Sequence, residues 1–264
     1  MGMKGTPPPI KALVLTYDRN RCLTDHMIYR YRQLWPDNPF CFRIPYQKNA
    51  GRGEADREYI KSPQDLKGTV LALLEGIADA EWIYWCIDDK YPIDLDLPRV
   101  KALVEWIRGI DDPEVSGVLF CRPGKLLKKK FLTGRVLRDA NGMKYLERRN
   151  YKKIWIHQFL RAGVLRHLFE SFPDVIPSAK VMDQLKMQVS KPAHHRLFVT
   201  ARNLATYGES TFRGRLTKNC QHSIAASPLQ LPAWHSQTVD KEIVIGKMPS
   251  HGFGFLKKLF KNRG

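Results

Sequence analysis

At 264 residues and 43% apolar content, the chain can bury a sizeable core as one large domain or a fused pair of half-domains, which excludes a disordered protein. No apolar run reaches the roughly 18 residues that a membrane-spanning helix needs, and residues 1–10 (MGMKGTPPPI) lack the basic-then-apolar layout of a secretory signal. A cytoplasmic protein is therefore expected. The net charge of +18 calls for a polyanionic partner, whether nucleic acid, an acidic membrane surface or small phosphorylated molecules.

In chain order, residues 11–16 (KALVLT) predict a strand that stops at the polar turn TYDRNR. A helix is expected over residues 24–35, with Met27, Ile28, Tyr31, Leu34 and Trp35 at helical spacing and Thr24 or Asp25 as its cap. A short strand follows at residues 40–44. Ser62-Pro63 reads as the start of a second helix, whose apolar face is Leu66, Val70, Leu73, Leu74 and Ile77. The apolar run WIYWCI, residues 82–87, predicts a buried strand. A third helix opens at Leu97-Pro98, and residues 115–121 (VSGVLFC) predict another strand.

Strands and helices thus alternate up to residue 121, which argues for a mostly parallel α/β sheet flanked by helices, because parallel strands need crossover connections. In open sheets of this kind ligands bind at the carboxyl ends of the strands. Asp88 and Asp89 fall at one such end, and Tyr17, Asp18, Arg19 and Arg21 at another. Beyond residue 121 the pattern is less regular. A hairpin is expected around Asn141-Gly142, a helix over residues 155–171, a short helix over 179–189 and a strand at 196–200. Residues 201–215 read as a polar loop, and 219–250 show little periodicity. The expected organisation is a nucleotide-binding half at 1–121, an acceptor-side half of the same domain at 122–250, and a basic tail at 251–264.

Two adjacent carboxylates at a strand end repel one another unless a cation or a proton relieves them. A divalent ion with oxygen ligands is the usual relief in a polar cleft. Such an ion keeps positions that phosphate oxygens fill. Glycines interleave with Arg213, Arg215 and Lys218 in the segment 206–218, which suits a phosphate-facing loop, and Glu209 there is a candidate base. His194-His195 has no third ligand spaced nearby, so a metal pair is not expected. Cys22, Cys41, Cys86, Cys121 and Cys220 form no CxxC pair and read as free thiols.

The strand WIYWCIDD, preceded by LKGTVLALLEGIADAEW, resembles the central strand and acidic motif of GT-A type glycosyltransferases that use nucleotide sugars, of the kind that builds bacterial polysaccharides and glycoconjugates. The opening ALVLTYDR is similar to that fold's nucleotide-binding start. The likeness continues through residues 157–184 (HQFLRAGVLRHLFESFPDVIPSAKVMDQ), spanning about residues 11–215 in all. It implies a Rossmann-like GT-A fold. It also implies that Thr16, Tyr17, Asp18 and Arg19 line the nucleotide pocket, and that Asp88 and Asp89 approach a Mn2+ or Mg2+ ion and the sugar diphosphate. Asp183 takes the place of the acceptor-side acid that deprotonates the attacking hydroxyl. The motif departs from the usual Asp-x-Asp: here it is Asp-Asp-Lys, which makes Lys90 a source of positive charge in its own right.

In GFGFLKKLFKNR, residues 252–263, Phe255, Leu256, Leu259 and Phe260 share one helical face, and Lys257, Lys258, Lys261 and Arg263 share the other. That pattern suits an interfacial helix on anionic lipid. It would place the enzyme peripherally on the inner face of a membrane, beside a glycan or lipid-linked acceptor. Two other classes compete: a nucleic-acid-binding protein and a nucleotidyltransferase-like enzyme. No zinc finger, RNP-like strand or helix-turn-helix supports the first. The absence of G-x-x-x-x-G-K-[ST] and G-x-G-x-x-G removes P-loop and dinucleotide chemistry.

Overall fold

The computed structural model describes residues 7–121, 128–176 and 179–248. The expected membrane-binding tail, and residues 125–127 of the basic run 125–130, lie outside the described residues.

The first strand, β1 (Ile10–Leu15), leads through a single 3-10 turn into α1 (Arg21–Leu34), followed by β2 (Phe40–Tyr46), β3 (Arg57–Lys61) and α2 (Leu66–Leu73). Then come β4 (Trp82–Ile87), β5 (Lys90–Leu95), α3 (Leu97–Gly109) and β6 (Val115–Leu119). The hairpin β7 (Leu132–Arg138) and β8 (Lys144–Arg148) precedes β9 (Gln158–Arg161), α4 (Ala162–Glu170), α5 (Ala179–Leu185) and β10 (Arg196–Thr200). The remaining elements are β11 (Ala205–Glu209), β12 (Thr211–Phe212), β13 (Arg215–Thr217), α6 (Lys218–Ala225), β14 (Thr238–Val239) and β15 (Val244–Ile245).

Nine strands form the central sheet in the order β3-β2-β1-β4-β9-β6-β10-β8-β7. The pairings β3-β2, β2-β1, β1-β4 and β6-β10 are parallel, and only β9 and β8 run against the common direction. The protein is an α/β fold with a large, mostly parallel sheet flanked by helices.

The alternation of the strands explains the layers. Ala12, Val14, Tyr84, Cys86, Phe159 and Phe198 face a core shared with Leu23, Met27 and Tyr31 of α1 and Leu103 and Ile107 of α3. Leu13, Ile83, Trp85, Leu160 and Leu197 face the opposite core, with Val70 and Leu73 of α2 and Leu165 and Leu168 of α4. Because both faces of β4 are covered, its sequence is apolar throughout instead of alternating.

Four local expectations are corrected. Helix α2 starts after Asp65, whose carboxylate accepts from the Gly68 N–H at 2.6 Å. Ser62 instead extends the β3 side of the sheet, its N–H donating to the Tyr46 carbonyl at 3.0 Å. The helix expected over 155–171 begins only at Ala162, because residues 158–161 form β9, wedged antiparallel between β4 and β6. Two adjacent apolar residues, Phe159 and Leu160, flanked by Gln158 and Arg161 fit either structure, and only their neighbours decide. The stretch 201–215, expected as loop, carries β11, β12 and the first residue of β13, and the region after 219 includes most of α6. Strand β3, an edge strand with a half-exposed pattern, went unpredicted.

Among the described residues, no helix is long and apolar enough to cross a membrane.

Candidate active site

The register between β1 and β4 builds the centre of the site. Leu15 pairs with Ile87, so the two parallel strands end level and Thr16 emerges beside Asp88. The Thr16 hydroxyl donates to Asp88 Oδ2 at 2.7 Å, and the Thr24 hydroxyl of α1 donates to Thr16 Oγ1 at 2.9 Å. Asp88 is 6% exposed. Burial and the neighbouring charge of Asp89 push its carboxyl up to about 7, against the hydrogen bonds from Thr16 and Asn20 and the charge of Lys90.

That shift has a sign. The folded protein binds a proton at Asp88 between the ordinary carboxylate value and about 7, so the ionised group costs stability above pH 7, and the cost vanishes as pH falls. The full linkage value is about 4 kcal/mol. Asp88→Asn is therefore expected to raise stability by roughly 1–2 kcal/mol at pH 8, and by less at pH 5, in denaturant melts at the two pH values. Equal changes at both would contradict the assignment.

Asp89 turns the other way. Its side chain is 37% exposed, and Oδ1 accepts from the Lys90 ammonium at 2.8 Å. Lys90 begins β5, which pairs antiparallel with β11 so that Lys90 and Glu209 are cross-strand partners. The Lys90 Nζ consequently also lies 3.6 Å from Glu209 Oε1. Gly208, next to Glu209, lets the two strands close: a Cβ there would stand 2.5 Å from the Tyr91 ring.

Two cavities meet at this point. The smaller, about 660 Å³, is lined by Thr16, Tyr17, Asp18, Asn20, Gln47 and Asp88 among others. The larger, about 1030 Å³, is lined by Lys90, Lys152, Lys153, Trp155, Asp183, Lys186 and Glu209, among others. Leu15, Ile87, Asp89 and Met182 border both. The charges divide unevenly. Four lysines against three carboxylates leave the larger cavity one positive charge, whereas Lys48 faces Asp18, Asp88 and Asp89 in the smaller.

Asp18, expected to contact a ligand, is committed to the loop after β2. Its carboxylate accepts from the N–H groups of Gln47, Lys48 and Asn49 at 3.2, 2.8 and 3.2 Å. Burial works against ionisation there, but those bonds and Arg21 outweigh it and hold the carboxyl below its ordinary value. Tyr17 is 50% exposed at the rim of the smaller cavity. Arg19 is exposed and lines neither cavity.

Asp183 does reach the larger cavity. It pairs with Lys186, one helical turn on, and accepts from Trp155 Nε1 at 3.0 Å. Burial opposes ionisation of Asp183, yet Lys186 and Trp155 hold it below the ordinary range.

Arg213, Arg215 and Lys218 line neither cavity. Arg213 and Gly214, both at positive φ, make the tip of the β12-β13 hairpin, and Lys218 is held by Asp240 at 2.8 Å. The cations that face the larger cavity are Lys90, Lys152, Lys153 and Lys186, of which only Lys90 was singled out from the sequence. The Lys152-Lys153 pair beside Trp155, and Lys186 three positions after Asp183, were the available signals.

The donor set does not fit the divalent ion that the acidic motif implies. Asp88 is deep and bonded to Thr16, Asp89 is taken by Lys90, and the described residues hold no group of three His, Cys, Asp or Glu able to bind a metal.

No protein family matches the chain, and no curated protein does. Solved structures similar to it include the galactosyltransferase LgtC in complex with donor and acceptor sugar analogs (13% identity, 89% of this chain and 86% of that one, TM-score 0.36). An active-site mutant of LgtC is similar at 12% identity (96% and 95%, TM-score 0.37). So is the 2-C-methyl-D-erythritol 4-phosphate cytidylyltransferase IspD of Francisella tularensis (9% identity, 81% and 98%, TM-score 0.40). These likenesses are faint, and any function rests on the chain's own residues.

Proposed function

We propose that this protein is a glycosyltransferase of GT-A type that moves a sugar from a nucleoside-diphosphate donor to a glycan or lipid-linked acceptor. One observation carries the reading: two cavities of unlike charge join at Asp89, at the level ends of β1 and β4. Carboxyl ends of parallel strands are where open α/β sheets bind ligands. The smaller, acidic cavity suits a nucleoside, whose ribose hydroxyls donate to the half-exposed Asp89 carboxylate that borders it, with the base against Tyr17. The larger, basic cavity suits the diphosphate and sugar, with the acceptor entering along Asp183 and Glu209.

Transfer breaks the bond between the anomeric carbon and the diphosphate oxygen, which keeps the electron pair. The acceptor oxygen forms the new bond, and its proton passes to a carboxylate, Asp183 or Glu209. Positive charge develops on the sugar and negative charge on the departing diphosphate, so lysines on the diphosphate side and a carboxylate on the acceptor side lower the barrier.

The reading is tested by melting the protein with UDP, GDP, CDP, dTDP and ADP and then following diphosphate release from the matching nucleotide sugars. At least one nucleotide should raise Tm, and its sugar derivative should be turned over. Stabilisation only by nucleoside triphosphates with pyrophosphate release would favour a nucleotidyltransferase, and stabilisation only by an oligonucleotide, lost steeply with salt, a nucleic-acid binder. Tyr17→Ala should weaken binding of the stabilising nucleotide about tenfold, since stacking on an aromatic ring contributes roughly 1–3 kcal/mol per base. Unchanged affinity would remove Tyr17 from the site.

A further inference from the structure

We propose that Lys90 is the cation that receives the donor diphosphate, standing where other acidic-motif sites hold a divalent ion. The inference rests on the transferase reading above and goes beyond it, because it assigns the leaving-group charge to a side chain and makes donor binding independent of metal.

Three observations carry it. Lys90 occupies the third position of the motif, where a second ligating carboxylate would stand in Asp-x-Asp, and it is fixed there by the backbone: the β5-β11 register sets it opposite Glu209. Its ammonium lies 2.8 Å from Asp89 Oδ1 and 3.6 Å from Glu209 Oε1. A divalent ion bound by the Asp89 carboxylate would lie within a few ångström of that ammonium, where the like charges repel. Finally, the Lys90 side chain is 8% exposed, yet it borders the larger cavity.

The arrangement is suited to a phosphate. An ammonium has three N–H donors: Asp89 accepts one at 2.8 Å, and Glu209, at 3.6 Å, holds the charge as an ion-pair neighbour beyond hydrogen-bond distance. That geometry leaves donor capacity for an incoming oxygen on the cavity side. The two carboxylates hold a flexible four-carbon side chain in place before the ligand arrives, so little rotamer entropy is lost on binding. Lys152, Lys153 and Lys186 border the same cavity and, together with Lys90, leave it one net positive charge without any bound ion. When the anomeric bond breaks, the electron pair stays on the diphosphate oxygen next to Lys90. No proton has to move, because the ammonium stabilises the charge by hydrogen bonding alone.

The test is isothermal titration of the full chain with UDP, GDP, CDP, dTDP and ADP, once in EDTA and once in 1 mM MnCl2, the concentrations being on the order used for metal-dependent nucleotide sites. The expected result is at least one nucleotide that binds with the same affinity, within about threefold, in both buffers. Lys90→Met should weaken that binding at least about tenfold without rescue by Mn2+, while Lys90→Arg, which keeps the charge, should stay within about threefold of the parent. Folding of each variant is read from its circular dichroism melt. If Lys90→Met does not fold, the parent in EDTA and Lys90→Arg still decide. Binding of the parent that appears only with Mn2+ overturns the role of Lys90 and leaves the transferase reading standing. Binding of no nucleotide in either buffer overturns both.

Discussion

Asp89→Asn is expected to lower the proposed glycosyl transfer at least about a hundredfold, equivalent to about 2.7 kcal/mol of transition-state stabilisation. Asp89 borders both cavities and carries the carboxylate nearest the Lys90 ammonium. An amide of the same size keeps the shape and removes the charge, so Lys90 loses its closer anchor and the sugar loses an acceptor for its hydroxyls. Stability should change little, because the side chain is more than a third exposed and such ion pairs contribute little to folding. The check is the rate of nucleoside diphosphate release from the matching nucleotide sugar, beside the melt of the variant. An Asn variant that keeps a third of parental kcat/KM, or that melts far lower than the parent, would remove Asp89 from the chemistry.

The second large effect is expected on folding. His157→Ala should destabilise the protein by about 3–4 kcal/mol. His157 is fully buried behind the end of β4, and burial lowers its ionisation to about 3, so the ring is neutral at working pH. Its Nε2 lies 2.9 Å from the Ile87 carbonyl, which can only accept, so Nε2 carries the proton and Nδ1 accepts from the Tyr31 hydroxyl at 2.7 Å. Tyr31 in turn lies 2.7 Å from the Tyr84 hydroxyl and 3.2 Å from that of Tyr207. This network ties α1, β4 and β11 together directly beneath Asp88 and Asp89.

Removing the ring takes the His157 donor from the buried Ile87 carbonyl, takes one of three partners from the buried Tyr31 hydroxyl, and opens a cavity. Each of these costs more than the hydrogen bond itself contributed. Tyr31→Phe, which deletes one hydroxyl and keeps the packing, should cost about 1–2 kcal/mol. Denaturant unfolding measures both, and a Tyr31→Phe variant as stable as the parent would mean that the network acts as packing alone.

Much of this architecture was written in local periodicity. Strands β1, β2, β4, β6 and β10, the hairpin at Asn141-Gly142 and helices α1, α2, α3 and α5 follow from apolar spacing and turn chemistry, allowing for shifted ends. The acid pair stood out because two like charges closed a wholly apolar strand. Strand β9 did not, since Phe159 and Leu160 serve opposite cores and their spacing is equally compatible with a helix. Arg213, Arg215 and Lys218 looked like phosphate ligands by composition, but a glycine turn also makes an exposed hairpin tip, and it does so here.

The alternation of β1, α1, β2, α2, β4, α3 and β6, the burial of β4 and the position of Asp88 and Asp89 at its end were determined by the sequence itself, because side-chain periodicity and strand length act over a few residues. The pairing of Thr16 with Asp88, the seating of Lys90 between Asp89 and Glu209, and the gathering of Lys152, Lys153 and Lys186 opposite them were decided only in the tertiary structure. Those contacts join segments tens of residues apart. Their alignment depends on strand register, which the packing of both sheet faces selects and which no local pattern encodes.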